Sequence, residues 1–390
     1  MRAELHPYAG REQTQAKHFI LKGYLQGLAF KVLTFSDLTF VDGFCGPWET
    51  KTDDFSDSSF MIAIKVLKDA QRIIFERYGK LRYIRLFFSE TDPDPFKQLT
   101  AAIAPFNDPA NRFEIQTFHG KFEDAVDKIN AFIGSSLPLI FIDPTGWSGY
   151  PIEKIKPLFS RSKCEVLINF MYEFINRFVH SDDPKTIASL DPILGSPGWQ
   201  KRLDQRLPVG AAAHELFKET LKEAGRFRFI VSTAIDKAFA DRPHFFITYA
   251  TKSLDGLKEF RETEYRALRE YAKNRANAKE RKRDEESGTL GLFPGHEAGL
   301  QAETIDEAVI DQMEAASAHL IDVLSKQSSI AFDSVVMRLL QRYMLRETNV
   351  KDICAALARN GIIERSWGAG NRKPKDSDII KLKSPQPPKF

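Results

Sequence analysis

The sequence predicts an α/β protein built on a Rossmann-like, doubly wound sheet, and three observations support that fold class. Segments typical of strands and helices alternate at close spacing through the first 170 residues. The strand cores are continuously apolar, which is typical of parallel strands covered on both faces. Three of these strands, LTFVD, LFFSE and LIFID, end in an acid followed by a turn. Right-handed crossovers between parallel strands then give a doubly wound sheet.

Composition describes a globular protein with several domains. The 390 residues suggest two or three domains, and a hydrophobic content of 43% with 31 Phe provides ample core. A net charge of +3 indicates no partner by itself, but residues 330–390 hold 12 Lys/Arg against 6 Asp/Glu. The 3 Cys are far apart and match no metal-binding spacing, so we expect no metal site and a reducing, cytoplasmic location. With no membrane-length apolar run and no signal peptide, we expect no membrane contact.

The elements of the sheet can be followed along the chain. An apolar stripe predicts a first helix over 13–34. Strand patterns then alternate with helix patterns. The predicted strands are 38–41, 82–89, 112–118, 138–142 and 164–170. The predicted helices between them are 60–78, 94–106, 122–134 and 151–159.

A helical insertion and a hairpin complete the predicted sheet. Residues 171–226 are expected to be mainly helical, and the strands 227–235 and 244–251 should pair antiparallel because only a short loop joins them. Five parallel strands completed by an antiparallel hairpin is the layout of class I methyltransferase sheets, which is an analogy of fold only. A long charged helix over 254–284 closes this first domain, residues 1–284.

The rest of the chain predicts a linker and a small basic domain. Residues 285–301 indicate a loop, and a helix over 304–326 completes a connecting segment, 285–328. Two helices followed by the segments IIERSW and IIKLK predict a winged helix-turn-helix over 329–384, with a disordered tail at 385–390. Winged helices bind DNA, RNA or proteins. The candidate nucleic-acid-binding residues are Arg359 on the second helix and Arg372, Lys373 and Lys375 in the wing.

The turn after the first strand is the first candidate ligand site. Asp42 ends the strand, and Gly43, Phe44 and Gly46 lie in the turn that follows. Small residues let the backbone approach a ligand closely, and an acid before such a turn often holds a nucleotide-like ligand in α/β sheets. An ordinary strand-to-helix turn is equally compatible with this pattern.

Further candidates follow the second and third strands and begin the first helix. Glu90 is placed to accept bonds from two ribose hydroxyls, or else, with Asp92, to cap the next helix. Phe122 is placed to stack on an adenine ring or to pack in the core. Lys17 and His18 face the ligand cleft or belong to a solvated first turn.

The fourth strand ends in Asp143-Pro144-Thr145-Gly146, at the edge where open α/β sheets place reactive groups. This tetrapeptide resembles the Asp-Pro-Pro-aromatic motif of amino-methyltransferases, in which the acid and the proline carbonyl accept hydrogen bonds from a target amine. We therefore assign Asp143 and Pro144 as candidate catalytic residues. Thr145 and Gly146 replace the second proline and the aromatic ring, which puts base methylation in doubt.

Several motifs in order resemble the three-Cys-motif partner (TcmP) family. They are KHFILKGYL, FVDGFCGPW, FSETDPDPF, PLIFIDPTGWSGYP, EVLINFMYEFINRF and FFITYATKSLDGLK. The resemblance covers about residues 13–260. It implies a class I methyltransferase-like fold, S-adenosylmethionine as the cofactor, and a phage-associated bacterial partner protein with a radical-SAM-like three-cysteine motif.

Two substitutions in the first turn separate the chain from the family pattern. Cys45 stands where the family has alanine, and Trp48 where it has glycine, so the indole would narrow the space for a methionine group. Two functions follow. One is a methyltransferase acting on nucleic acid, and the other is a catalytically degenerate protein that binds DNA or its partner through the winged helix.

Overall fold

The computed structural model describes residues 8–46, 50–179, 181, 183–289, 295–368 and 370–383. The chain forms two compact units. Unit 1 comprises residues 1–256 and 281–288, and unit 2 comprises residues 257–280 and 289–390. The division crosses the long charged helix, whereas the sequence placed a domain boundary at its end.

Unit 1 is organised around a sheet of seven strands. The strands are β1 (Leu38–Asp42), β2 (Ile84–Glu90), β3 (Phe113–His119), β4 (Leu137–Ile142), β5 (Glu165–Phe170), β6 (Phe229–Lys237) and β7 (Ala240–Thr251). Their order is β3-β2-β1-β4-β5-β7-β6, with the first five parallel and β7 antiparallel to both of its neighbours. The predicted doubly wound sheet with an antiparallel hairpin is confirmed, and its strand order reverses between β1 and β4.

The helices of unit 1 follow the predicted alternation. They are α1 (Glu12–Val32), α2 (Ser59–Tyr78), α3 (Pro93–Ile103), α4 (Val126–Ile133), α5 (Ile152–Phe159), α6 (Tyr172–Phe178), α7 (Pro184–Leu194) and α8 (Val209–Gly225). The helix predicted over 122–134 opens as a 3-10 turn, Phe122–Ala125. Ser58 caps α2 by accepting the Met61 N–H, and Gly79 ends it in the left-handed region.

The centre of the sheet explains why the strand cores are apolar throughout. All five residues of β1 are buried because helices cover both faces of the sheet. Phe40 on β1 packs against Phe88 on β2 and Phe141 on β4, with both ring centroids 6.4 Å away. This rigid layer fixes the positions of the strand ends, where the polar residues lie.

Unit 2 is mostly helical. The long helix α9 (Leu254–Ser287) contributes residues 257–280 to it, and α10 (His296–Gln327), α11 (Phe332–Arg342) and α12 (Glu347–Arg359) follow. The loop predicted over 285–301 is shorter than expected, because α9 continues to Ser287 and α10 begins at His296.

The predicted wing is less regular than the sequence suggested. Strand β8 (Ser329–Ala331) pairs antiparallel with β9 (Ile379–Lys381), and only an isolated bridge joins Ile363 to Leu382. IIERSW therefore does not form the expected strand. The winged-helix assignment stays a prediction, and the predicted tail at 385–390 lies outside the described residues.

Three general features of the described residues bear on function. No helix among them is long and apolar enough to cross a bilayer. Their His, Cys, Asp and Glu side chains form no cluster of three or more that could hold a metal ion. All three cysteines are buried free thiols.

Candidate active site

Three acids lie at the carboxyl edge of the central strands. Asp42 on β1 is in register with Phe88 on β2 and with Phe141 on β4. Glu90 and Asp143 therefore each lie two residues beyond the level of Asp42, on either side of it. The rim divides into a closed side, defined by Asp42, Glu90 and Phe122, and an open side, defined by Lys17, Asp143 and Asn169.

On the closed side, Asp42 is fully buried and holds the local backbone. It accepts hydrogen bonds from the Phe44 N–H (3.1 Å) and the Ser59 hydroxyl (2.7 Å). Burial raises the pKa of Asp42 to about 7, although these two hydrogen bonds oppose the rise. Asp42 therefore joins the turn after β1 to the first residue of α2.

The space above Gly43 is filled by the protein itself. A Cβ atom placed on Gly43 would lie 2.9 Å from the Phe122 ring. Phe122 is only 2% exposed, and its ring centroid lies 6.0 Å from that of Phe44. The Phe122 ring thus occupies the space that the missing side chain of Gly43 leaves. This is the arrangement expected if Phe122 packs in the core and does not stack on an adenine ring.

Glu90 holds the backbone of the turn that precedes α3. It is 5% exposed, and its Oε1 accepts the backbone N–H groups of Thr91 (2.7 Å) and Asp92 (2.9 Å) just before α3. Asp92 occupies the cap position itself but makes no side-chain cap bond. The ribose contact predicted for Glu90 and the cofactor contact predicted for Asp92 stay predictions.

The open side borders a cavity of about 480 Å³, formed by α1, the turn after β1, the start of α2, and the ends of β4, β5 and β7. It lies at the point where the strand order reverses, which is where open α/β sheets bind ligands. Six of the predicted residues line it: Lys17, His18, Phe44, Gly46, Asp143 and Pro144. Pro47, Trp48 and Glu49 lie outside the described residues.

Asp143 is held by two side chains on the cavity wall. Lys17 Nζ lies 2.5 Å from Asp143 Oδ2, with the two side chains 14% and 13% exposed. Asn169 Nδ2 donates to Asp143 Oδ1 at 2.8 Å. Asn169 Oδ1 is buried and has no hydrogen-bond partner among the described residues, so the wall carries one unsatisfied acceptor.

A second ion pair lies near the start of α2. Arg11 Nη2 lies 2.7 Å from Asp57 Oδ2, and Asp57 also accepts bonds from the Lys51 N–H and the Thr52 hydroxyl. Burial tends to raise the pKa of Asp57, but those bonds and the Arg11 charge outweigh it, and the pKa is lowered. Arg11 and Asp57 both line the cavity.

His18 is a neutral part of the wall. The Tyr8 hydroxyl and His18 Nδ1 are hydrogen bonded at 2.9 Å. Burial, helped by the charges of Lys17 and Arg11, lowers the pKa of His18 to about 3. The imidazole is therefore uncharged at neutral pH and supplies no positive charge to a ligand.

A histidine from β7 also lines the cavity, and sequence reasoning did not select it. His244 Nδ1 lies 2.8 Å from Glu173 Oε2, and Lys237 pairs with the other Glu173 oxygen. Burial tends to raise the pKa of Glu173, but the bonds from Lys237 and His244 lower it, so Glu173 is an ionised acceptor. In a neutral His244 the proton then lies on Nδ1, which leaves Nε2 as a base.

Asn169 and His244 were missed because their importance depends on tertiary contacts. Asn169 is the second-last residue of β5, and only its place in the INF segment marked it. His244 reaches the rim because β7 is antiparallel, so its first residues lie beside the ends of the parallel strands. His119, the last residue of β3, instead contacts the Thr91 carbonyl through Nε2 at 3.1 Å, and its ring stacks on Phe96.

The candidate nucleic-acid-binding residues lie in unit 2. Arg359, Arg372 and Lys373 line a separate cavity of about 490 Å³. Lys375 does not line it, although it lies in the same loop. Three of the four residues predicted as a nucleic-acid interface therefore line the same cavity, and the fourth does not.

Comparisons with known proteins give weak likenesses. No family model matches the chain, and no curated protein matches it. Cofactor-bound Rv0187 from MTB aligns with a TM-score of 0.33 and 14% identity, over 64% of this chain and 84% of that one. An O-methyltransferase from Bacillus cereus in complex with SAH aligns with a TM-score of 0.33 and 16% identity, over 61% and 81%. A putative rRNA-methylase from Clostridium thermocellum aligns with a TM-score of 0.28 and 10% identity, over 58% of this chain and 96% of that one. Likenesses at these scores add nothing to what the strand order and the cavity show.

Proposed function

We propose that the chain is an S-adenosylmethionine-dependent methyltransferase that acts on nucleic acid together with a three-Cys-motif partner protein. The observation that carries the proposal is the polar cavity at the strand-order reversal of a β3-β2-β1-β4-β5-β7-β6 sheet. Asp143, Pro144 and Asn169 line it, and the buried Asn169 Oδ1 has no hydrogen-bond partner among the described residues. Ligands of open α/β sheets bind at this place.

The open side fits the charged end of the cofactor. The methionine part of S-adenosylmethionine carries an ammonium and a carboxylate group. Asn169 Oδ1 is an acceptor for the ammonium group, and Arg11 and Lys17 supply positive charge for the carboxylate. Asp42, Glu90 and Phe122 do not line that cavity, and the nucleoside contacts assigned to them remain part of the proposal.

The chain's own residues would position the acceptor and remove its proton. Bound S-adenosylmethionine supplies an activated methyl group. The Pro144 carbonyl and Asp143 orient the acceptor, and His244 Nε2 takes the proton that the acceptor loses while Glu173 holds the ring. Orientation supplies most of the acceleration in such a transfer.

Basic residues of unit 2 support a nucleic-acid acceptor. Arg359, Arg372, Lys373 and Lys375 would contact phosphates, and binding would then weaken steeply with salt. The three-Cys-motif partner follows from the ordered motifs that resemble the TcmP family. Mixing the chain with such a partner and measuring complex mass by light scattering tests this part alone.

Calorimetric titration with S-adenosylmethionine and S-adenosylhomocysteine tests the cofactor. We expect binding that Asn169→Leu weakens at least about 10-fold, because a buried ligand hydrogen bond to a charged group is lost. Lys65→Met, which breaks an exposed ion pair with Asp54, is the matched control and should bind as the wild type does. No heat and no thermal shift at millimolar cofactor would contradict the proposal.

Transfer of labelled methyl groups to total RNA and sheared genomic DNA tests the reaction. We expect His244→Gln to lower the rate by about 10²- to 10⁴-fold, the usual contribution of a general base, while cofactor affinity stays unchanged. An unchanged rate in His244→Gln would exclude His244 as the base without affecting the cofactor assignment.

A degenerate binding protein is the second candidate, and one observation favours it. Phe122 fills the space above Gly43, and Lys17 pairs with Asp143. The chain's own side chains therefore occupy the positions at Gly43 and at Asp143 where the sequence predicted ligand contacts. Under this alternative the sheet is a scaffold, unit 2 binds DNA or the partner protein, and S-adenosylmethionine does not bind.

A further inference from the structure

The second cavity lies wholly within unit 2 and has a distinct composition. It is about 490 Å³ in volume and is lined by residues of α12 and by Arg365, Trp367, Arg372 and Lys373. Four cations line it: Arg359, Arg365, Arg372 and Lys373. Asp352 is the one carboxylate on its wall, so the lining has a marked excess of positive charge.

Two of the four cations are already committed to the protein. Lys373 Nζ lies 2.5 Å from Asp352 Oδ1, which neutralises both groups. Arg365 Nη2 donates to the Asn371 carbonyl at 2.9 Å, which fixes the loop against itself. The lone carboxylate is therefore used by Lys373 and does not offset the arginines.

The guanidinium groups of Arg359 and Arg372 are the uncommitted ones. Neither makes an ion pair or a hydrogen bond with any described side chain or carbonyl. A guanidinium group presents donors in a planar fork that matches two phosphate oxygens. Two such groups on one wall form a recognition site for a phosphate group.

The lining also contains apolar residues, one of them aromatic. Ala355, Ala358 and Trp367 line the cavity together with the cations. Trp367 is 3% exposed, and its Nε1 has no acceptor among the described residues. Small methyl groups beside an indole give a surface against which a flat base can lie.

A cavity of this size exceeds the needs of a single inorganic anion. Its 490 Å³ has room for a base and sugar as well as for a phosphate, and its lining combines cations with apolar side chains. This combination is the chemistry of a nucleoside phosphate rather than that of a duplex backbone, which needs an open charged surface and no pocket.

We propose that this cavity binds a nucleoside 5′-phosphate, with the phosphate on Arg359 and Arg372 and the base against Ala355, Ala358 and Trp367. The nucleotide comes either from the phosphorylated end of a nucleic acid or from free solution. The site lies in unit 2 and does not depend on S-adenosylmethionine, so it stands or falls separately from the methyl-transfer proposal.

The test uses the full chain and three probes: AMP, a 5′-phosphorylated single-stranded 12-mer, and the same 12-mer with a 5′-hydroxyl. Affinity is measured by calorimetry for AMP and by fluorescence polarisation for the oligonucleotides, at fixed salt. We expect Arg359→Gln and Arg372→Gln each to weaken AMP binding at least 10-fold. Lys381→Gln removes the same charge from an exposed position of β9 outside the cavity and should change AMP binding less than 2-fold.

A local readout separates the pocket from general charge attraction. The indole N–H signal of Trp367 in ¹⁵N-tryptophan-labelled protein, assigned by its absence in Trp367→Phe, should shift on addition of AMP. Tighter binding of the 5′-phosphorylated 12-mer than of its 5′-hydroxyl counterpart identifies a nucleic-acid end, and equal binding of the two 12-mers together with specific AMP binding identifies a free nucleotide.

Two results would overturn the proposal. One is an equal loss of affinity in Lys381→Gln and in the two arginine variants, which would mean diffuse attraction. The other is an unmoved Trp367 signal with no AMP binding at millimolar concentration. Neither result bears on cofactor binding in unit 1, which is measured with a different ligand.

Discussion

Both sides of the rim in unit 1 carry acidic residues at strand ends, but the carboxylates of the two sides are held by different kinds of partner. On the closed side, Asp42 and Glu90 accept bonds mainly from backbone N–H groups of their own turns, and Asp42 also accepts the Ser59 hydroxyl. On the open side, Asp143 is held by the side chains of Lys17 and Asn169, which come from distant parts of the chain. An acid satisfied by local backbone becomes part of the scaffold, whereas one held by side chains remains beside a cavity and can exchange partners.

The largest expected effect tests whether the closed side is core. Phe122→Ala should lower the free energy of unfolding by about 3–5 kcal/mol, because it removes a buried ring and leaves a cavity above Gly43. Denaturant unfolding measures the change. Phe75→Ala, at a half-exposed position of α2, is the control and should cost less than about 1 kcal/mol. Equal small losses would mean that the Phe122 ring is available to a ligand after all.

The next effect concerns the ion pair of the open side. Lys17→Met should destabilise unit 1 by roughly 2 kcal/mol, because it leaves a mostly buried Asp143 with only Asn169 as a partner. The exposed pair of Lys65 and Asp54 should contribute about 0–1 kcal/mol, so Lys65→Met is the comparison. If Lys17→Met and Lys65→Met lower the free energy of unfolding equally, the pair of Lys17 and Asp143 contributes no more than a surface ion pair. The proposed difference between the two sides of the rim would then be wrong.

The closed side should lose stability as the pH rises. The folded pKa of Asp42, about 7, lies above its unfolded value near 3.9, so the folded state binds the proton more tightly. The stabilisation from Asp42 is fully present below about pH 4 and is lost as the pH rises through 7. Between these limits, the stability of the wild type relative to Asp42→Asn should fall by roughly 1 kcal/mol per pH unit. A flat difference would show that Asp42 is ionised in the folded protein throughout.

The open side should behave in the opposite way at its histidine. The folded pKa of His18, about 3, lies below its unfolded value near 6.5, so the unfolded state binds the proton more tightly. Stability due to neutral His18 is complete above about pH 6.5 and is lost as the pH falls toward 3. Relative to His18→Gln, the wild type should lose up to roughly 1 kcal/mol per pH unit on acidification. Titration of His18 near pH 6.5 by NMR would contradict its burial.

Local sequence predicted the frame well, because strand and helix patterns are local. The continuous apolar runs placed all five parallel strands, and the short loop before His244 placed the antiparallel hairpin. The acids at the strand ends were also found from sequence, since parallel strands bring their carboxyl ends to one edge. The exact lengths of the last helices were not, because α9 and α10 extend into a segment whose composition resembles a loop.

The roles of individual side chains could not be predicted to the same degree. Whether Phe122 faces a ligand or packs on Gly43 depends on the 3-10 turn that carries it, which has no distinct sequence pattern. Asn169 and His244 meet at the cavity only because β5 and β7 are neighbours in the sheet. Lys17 was identified by its place in the first helix, but its pairing with Asp143 joins positions far apart in sequence.

A crystal structure of the full chain grown with S-adenosylhomocysteine tests the central claim most directly. The account predicts the ligand in the cavity of the open side, with its amino-acid end within hydrogen-bonding distance of Asn169 Oδ1. A ligand bound elsewhere would contradict the account. So would crystals grown in saturating S-adenosylhomocysteine in which the open side holds no ligand and keeps the Lys17–Asp143 pair, and unit 1 would then be a scaffold.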